Sequence, residues 1–274
     1  MPTRLLLTAS KDVTHFPFDP GPPRRGINGQ NVWDLNTKTH SYQSSLKAIR
    51  KLFAPGITLG LVQRDKPIRA VFMDMDSTVI EQESIVEMAR TIGKADEVSR
   101  ITEDAMAGLI DFNEALARRL GILVGMTAEV FDTVRKNFIL TNGMSDFAQF
   151  CRKANIPMYL VSGGFTDLAK PLARDLGFTS FYATQLEQRN GRLTGKVVGQ
   201  VVDRAAKGKF VQSTMEAKGW GRGDVVVVGD GANDLDMMSH CDFAVGFRPK
   251  PVLYPHIHVC LGSGGHMTLA ALFD

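Results

Sequence analysis

Three short apolar runs in this chain each stop in a turn of glycine, aspartate or serine. They are residues 68–73 ahead of Asp74-Met75-Asp76-Ser77-Thr78, residues 156–161 ahead of Ser162-Gly163-Gly164, and residues 225–228 ahead of Gly229-Asp230-Gly231-Ala232-Asn233-Asp234. Runs this short, nearly continuous in apolar residues and rich in branched and aromatic ones, read as strands buried on both faces. Amphipathic stretches at 145–154, 166–176, 207–218 and 232–239 read as helices between them, and 243–245 and 258–261 are weaker strand candidates. Strands alternating with helices predict an α/β fold, a doubly wound parallel sheet with helices on both faces. In such a sheet the three polar turns share one edge, where ligands bind.

That edge would collect the carboxylates of Asp74, Asp76, Asp230 and Asp234 with the Ser162 hydroxyl. A spacing of two puts Asp74 and Asp76 on one side of an extended chain. Close carboxylates share a proton or need a cation, and hard oxygens at this density suit Mg²⁺. The turn at Ser162 leads into a helix, whose first N–H groups can receive an anion. Lys207 opens a helix and would neutralise a phosphoryl oxygen if it reached the same edge. Taken singly, each feature also has a plainer reading: an Asp/Ser turn after a strand, or an exposed lysine at a helix start.

Two segments interrupt the alternation. Residues 83–139 lack a buried strand and carry amphipathic patterns at 84–92, 96–106, 111–123 and 128–138, which suggests a helical bundle inserted after the first core strand. Residues 181–203 alternate apolar and polar residues around Asn190-Gly191, a hairpin signal. Residues 1–66 read as a separate accessory or regulatory β-α-β-like piece, with strands at 4–9 and 57–62, a helix at 41–53, and a Pro/Gly-rich loop at 17–29. The expected organisation is therefore 1–66 accessory, 67–82 and 140–274 core, and 83–139 cap.

Composition narrows the setting. The chain has 274 residues, 44% apolar and 22% charged, with a net charge of +3. That is ordinary for a globular protein. The one basic cluster with loop composition, Pro22-Pro23-Arg24-Arg25, demands no nucleic acid. Cys151, Cys241 and Cys260 have no paired spacing, so reduced thiols in a reducing compartment are expected. The first residues have too short an apolar core for a signal peptide, and no stretch approaches the ~20 apolar residues of a membrane helix. The cytoplasm is the expected location, with no membrane partner, and a homodimer is left open.

Asp74-x-Asp76-x-Thr78, Ser162, Lys207 and Gly229-Asp230-Gly231-Ala232-Asn233-Asp234 occur in the order of the four motifs of the haloacid dehalogenase superfamily, which the chain resembles over about 68–248. The resemblance implies a phosphotransfer site. Asp74 would be the nucleophile and Asp76 the general acid and base. Ser162, Gly163 and Lys207 would hold the phosphoryl group. Asp74, the backbone carbonyl of Asp76, and Asp230 would bind Mg²⁺, with Asp234 and Asn233 bracing the site and Asn233 also serving substrate binding. The segments DMDSTVIEQE, ITEDAMAGLIDFNEALARR and VSGGF are similar to the phosphoserine phosphatases within that superfamily. These catalyse the last step of serine biosynthesis. By that likeness Glu83 would meet the ammonium group of O-phosphoserine and Arg119 its carboxylate, with Met106 and Phe112 lining the pocket.

Read from the residues alone, these four positions keep a second explanation. Arg119 shares a helix face with Phe112, Leu116 and Leu123, which fits either a ligand contact or a snorkelling stem. Glu83 also fits an acid favoured at a helix start, and Met106 and Phe112 also fit packing inside the bundle. Other acceptors, homoserine among them, and other phosphomonoesters use the same chemistry. A receiver-like phospho-acceptor domain is opposed by Asp76 and by the long insertion. His256, His258 and Cys260 would share a strand face but lack a fourth metal ligand. Gly229-x-Gly231 lacks the third glycine of a dinucleotide fingerprint. His15, His40, His240 and His266 have no partner visible in sequence.

Overall fold

The computed structural model describes residues 4–9, 16, 22, 24–25, 31–35, 41–64, 66–106, 109–110 and 112–273. The strands are β1 (Arg4–Ala9), β2 (Arg24–Arg25), β3 (Asn31–Leu35), β4 (Thr58–Arg64), β5 (Ala70–Met73), β6 (Met158–Phe165), β7 (Ser180–Arg189), β8 (Arg192–Val198), β9 (Val225–Gly229), β10 (Phe243–Phe247) and β11 (Val259–Leu261). They form one sheet in the order β2-β3-β1-β4-β11-β10-β9-β5-β6-β7-β8. From β11 to β7 every neighbouring pair is parallel, and the remaining pairs at both ends are antiparallel.

The strict period of two in a strand explains why the central runs are apolar throughout. Ala70 and Phe72 face one core with Tyr159, Val161, Val225 and Val227, whereas Val71 and Met73 face the other with Leu160, Val226 and Val228. Burying each such side chain contributes on the order of 1.5–3 kcal/mol, against about 0–1 kcal/mol for an exposed ion pair. The sheet is therefore held by its two apolar faces. The core helices that cover them are α1 (Tyr42–Arg50), α6 (Met144–Lys153), α7 (Thr166–Leu176), α8 (Arg204–Lys218) and the short α9 (Leu235–Met238).

The insertion supplies α2 (Ser84–Arg90), α3 (Ala95–Met106), α4 (Phe112–Ile122) and α5 (Glu129–Lys136); α2, α4 and α5 lie within the stretches read as helical from sequence, and α3 starts one residue before its stretch. Their apolar faces converge on Met88, Val98, Leu120, Leu123 and Phe131. The β7–β8 hairpin turns at Asn190 and Gly191, both with positive φ (51° and 70°), as a two-residue turn requires. Leu186 and Leu193 of the hairpin join the bundle core. Main-chain bonds tie the two together: Leu193 donates to Met126 and accepts from Gly125, both at 2.9 Å, and Ala128 donates to Gly191 at 2.9 Å. At Gly195 (φ 77°) a Cβ would lie 2.5 Å from Val124, so backbone and cap touch there.

Several sequence expectations differ from the structure. Helix α8 begins three residues before Lys207, because the Asp203 side chain accepts from the Ala206 N–H at 2.8 Å and caps it there. Ser162-Gly163-Gly164 is the irregular end of β6 and not a separate turn, since pairing with β7 resumes at Phe165↔Thr184. The N-terminal segment is antiparallel, with β1 between β3 and β4, where a β-α-β-like piece was expected. Strand β3 escapes the pattern because Asn31-Val32-Trp33-Asp34-Leu35 is short and mixed. β4 in turn pairs with β11, Gly60 opposite Val259. β11 spans only Val259–Leu261, so His256 and His258 both precede it and neither shares a strand face with Cys260. The His258 Nδ1 accepts from the Ala244 N–H at 3.0 Å. His15 and His40 lie outside the described residues, as does the 17–29 stretch apart from Pro22, Arg24 and Arg25.

Candidate active site

The carboxyl ends of β5, β6 and β9 are adjacent, and the polar residues that follow them meet there. Asp74 leaves β5 with its N–H bonded to the Val228 carbonyl at 3.0 Å. Its Oδ1 accepts from the Met75 N–H at 2.8 Å and lies 2.7 Å from the Lys207 Nζ. Its Oδ2 accepts from the Asn233 side-chain amide at 3.2 Å. Lys207 is a fully buried cation, 1% exposed, and its ammonium also reaches Asp234 Oδ1 at 2.9 Å. Burial works against that charge, but Asp234 and Asp74 more than offset it and raise the Lys207 pKa above its ordinary value.

Asp234 uses its other oxygen on the Asp230 and Gly231 N–H groups, at 3.0 and 3.2 Å. The turn is too tight for a side chain at Gly229, where a Cβ would lie 2.3 Å from Asp234 Oδ2. Asp230 is buried and faces Asp74; burial first and that repulsion second push its pKa up to about 6, against the pull of Lys250. Lys250 Nζ sits 3.0 Å from Asp230 Oδ2.

Asp76 hangs over the same edge. Its Oδ2 accepts from the Ser84 hydroxyl at 2.8 Å, while its Oδ1 is buried without a partner. Burial, with Glu83 and Asp74 nearby, raises its pKa well above the usual carboxylate range, and bonds from Ser84 oppose the rise. The intervening Ser77 is held at a φ of 56° and donates to Glu83 Oε1 at 2.7 Å. The Ser162 hydroxyl accepts from the Gly164 N–H at 2.9 Å. The Gly163 carbonyl accepts from Thr184 Oγ1 at 3.3 Å.

Among the described residues, Asp74, Asp230 and Asp234 present ligand atoms that all lie within 4.8 Å of one another. Asp234 has both oxygens committed to Lys207 and the turn N–H groups, and Asp74 has both engaged by Met75, Lys207 and Asn233, so a cation here would share these carboxylates with their existing partners. Hard oxygens in mutual repulsion are a donor set that fits a hard divalent ion. Glu83 is exposed at the start of α2, and Arg119 is half-buried on α4, its Nε donating to the Ala115 carbonyl at 3.2 Å. Burial lowers the Arg119 pKa and the Glu83 charge opposes this. Met106 and Phe112 lie on α3 and α4, and their side chains are outside the described residues.

The structure thus gathers Asp74, Asp76, Asn233, Asp230, Asp234 and Lys207 at one sheet edge, with Ser162 and Gly163 ending the neighbouring strand. Three contacts there had not been singled out from sequence. Ser84 bonds Asp76 and Lys250 bonds Asp230. At Gly164 a Cβ would lie 2.8 Å from Met75 Cε, 3.0 Å from Ser162 Oγ and 3.1 Å from Ser84 Oγ. The sequence signal for Lys250 is faint, a lysine between two prolines just after β10.

A parallel sheet that ends in carboxylates around a buried lysine, with a helical cap set between its first two core strands, marks a hydrolase architecture. The chain belongs to the haloacid dehalogenase-like hydrolases, whose family pattern matches residues 71–239. Within the family it is similar to phosphoserine phosphatases. It is 38% identical to that of Archaeoglobus fulgidus over 185 residues, 68% of this chain and 54% of the relative. The chain spans about half the length of that protein and of two further phosphoserine phosphatases it matches. Among solved structures, a phospho-aspartyl intermediate analogue of phosphoserine phosphatase superposes with a TM-score of 0.70 at 29% identity, covering 76% of this chain and all of that one. A HAD family hydrolase from Salmonella enterica serovar Typhi superposes with a TM-score of 0.85 at 23% identity over 99% of this chain and 98% of its own, and so shares the fold.

Among the described residues no helix is long and apolar enough to cross a membrane.

Proposed function

We propose that the chain hydrolyses O-phosphoserine to serine and phosphate through a phospho-aspartyl intermediate on Asp74. One observation carries the reading. Asp74 has Lys207 and Asn233 on its oxygens and Asp230 opposite, while Asp76, two residues on, keeps one oxygen free. The names of the relatives supply the substrate.

In this scheme an Asp74 oxygen attacks phosphorus and the bond from phosphorus to the serine oxygen breaks. Asp76 gives its proton to that oxygen, a contribution of roughly 10²–10⁴-fold for a well-placed general acid. Asp76 then takes a proton from the water that attacks phosphorus, and the carboxylate of Asp74 leaves. Its raised pKa suits both tasks. Ser162, Gly163 and Lys207 hold the phosphoryl oxygens. Asp74, Asp230 and the Asp76 carbonyl would hold Mg²⁺, which when bound neutralises charge on the phosphoryl group. Asp234 steadies Lys207 and the Asp230 turn, and Asn233 steadies Asp74 and meets substrate.

The cap, residues 83–139, would supply selectivity. Glu83 receives the ammonium group and Arg119 the carboxylate, with Met106 and Phe112 along the pocket wall. Residues 67–82 and 140–274 form the catalytic core, and 1–66 an accessory segment. Three buried, unpaired thiols suit a reducing cytoplasm.

The test is a panel of phosphomonoesters with Mg²⁺, run with and without homoserine as acceptor. Phosphoserine should be turned over at least tenfold faster than the generic esters, releasing inorganic phosphate whether or not homoserine is present. Equal turnover across the panel would remove the substrate assignment, and phosphohomoserine as the main product would make the chain a transferase.

A further inference from the structure

The loop after β5 and the start of the cap are laced together by two neighbouring pairs. Ser77 Oγ donates to Glu83 Oε1 at 2.7 Å, and Ser84 Oγ donates to Asp76 Oδ2 at 2.8 Å. Ser84 is fully buried and opens α2. Its hydroxyl lies inside the site, since a Cβ built on Gly164 would fall 3.1 Å from Ser84 Oγ and 3.0 Å from Ser162 Oγ. The bond is also one-sided. Ser84 occupies Oδ2 of Asp76, and Oδ1 is buried with no partner.

A carboxylic acid transfers a proton efficiently only when the oxygen bearing it points at the acceptor. With Oδ2 receiving the Ser84 hydrogen, a proton on Asp76 belongs on Oδ1. We infer that Ser84 is a positioning residue for proton transfer: it fixes which oxygen of Asp76 carries the proton and turns that oxygen toward the leaving serine oxygen. The inference rests on reading Asp76 as the general acid. It also gives the cap a part in the chemistry, because the residue that aims the acid adjoins the proposed ammonium ligand Glu83 on the same helix start.

The step concerned moves one proton. As the bond between phosphorus and the serine oxygen breaks, that oxygen takes the Oδ1 proton and Asp76 becomes a carboxylate, while phosphorus bonds to Asp74. A leaving group that departs as a stable anion needs no such proton. Single-turnover phosphorylation should therefore be measured for phosphoserine and p-nitrophenyl phosphate with Ser84→Ala, Ser84→Thr and Asp76→Asn.

Ser84→Ala should slow the serine ester by about 10-fold or more. The aryl ester should change by less than about twofold, and the Kd for phosphoserine should stay near its original value. Ser84→Thr, which keeps the hydroxyl, should recover most of the lost rate. If the alanine variant does not fold, Ser84→Cys, close in volume and a poor donor, replaces it in the same comparison. Equal losses on both esters, or no loss on either, would overturn the role given to Ser84. Asp76→Asn should show the same selectivity in stronger form. If it does not, the failure lies in the general-acid reading of Asp76, and the role of Ser84 falls with it.

Discussion

His266 had no visible partner in sequence, yet it holds the main chain next to the site aspartates. Its Nε2 lies 2.8 Å from the Thr78 carbonyl, so Nε2 carries the hydrogen and Nδ1 is left buried without a partner. The ring stacks on Phe247 with centroids 4.2 Å apart. Burial first, with Arg248 nearby, lowers the His266 pKa to about 4, although the bond to Thr78 favours the charged ring. An unfolded histidine titrates near 6.5. The folded value is the lower one, so the unfolded chain binds the proton first as pH falls. The stability from neutral His266 is complete above pH ~6.5 and is lost between there and about pH 4. In urea titrations this contribution lowers the unfolding free energy across that window, while the buried Asp230 and Asp76, whose pKa values are raised, act in the opposite direction. His266→Gln, which retains an N–H for Thr78, should flatten part of the slope. His258, also lowered to about 4 by burial, should account for much of what remains. An unchanged slope in the glutamine variant would count against this assignment.

At the scale of elements, β5, β9 and the first half of β6 are readable because they are apolar and each runs into an abrupt polar turn, whereas β10 and β11 are weak signals and β7 reads only as part of the hairpin. The four cap helices and the hairpin were readable for similar local reasons, periodicity in one case and Asn190-Gly191 in the other. What sequence could not supply was anything decided by contact between distant segments. Lys207 is legible as a charge, but its burial between Asp74 and Asp234 follows from how α8 packs against the sheet edge. Ser84 and Gly164 look unremarkable until α2 and the end of β6 are side by side. The joint between β4 and β11 is of the same kind. A Cβ on Gly60 would lie 2.7 to 3.0 Å from the Val259 side chain, so these strands meet with no room between them. Gly60→Ala should destabilise the protein by about 1–3 kcal/mol, the range for an overfilled core. Adding Val259→Ala should recover part of the loss, and a melting curve for each single and double variant gives the coupling. Additive effects would mean that the alanine is accommodated elsewhere.

For the molecule as a whole, the carboxylates gathered at one edge predict a stability that rises with a hard divalent cation. Asp230 and Asp74 repel one another, and Lys250 pairs with Asp230 at 3.0 Å. An ion bound only by the native state stabilises it by about 2.7 kcal/mol at a hundred times its Kd. For a chain of this size that is roughly 5–10 °C in Tm. Mg²⁺ at millimolar concentration should raise the melting temperature by an amount of that order, chelation should reverse it, and Asp230→Asn should abolish the shift. A shift that survives in the asparagine variant would place the ion elsewhere.

The seam between the hairpin and the cap also bears on protein engineering. Gly191, Leu193 and Gly195 belong to a hairpin attached to the core sheet through β7, yet they bond or abut Ala128, Gly125, Met126 and Val124 of the cap. The natural cassette is thus discontinuous, helices α2 to α5 together with the β7–β8 hairpin. Grafting the first piece onto another core without the second would leave three main-chain hydrogen bonds and two apolar side chains, Leu186 and Leu193, to be replaced by design.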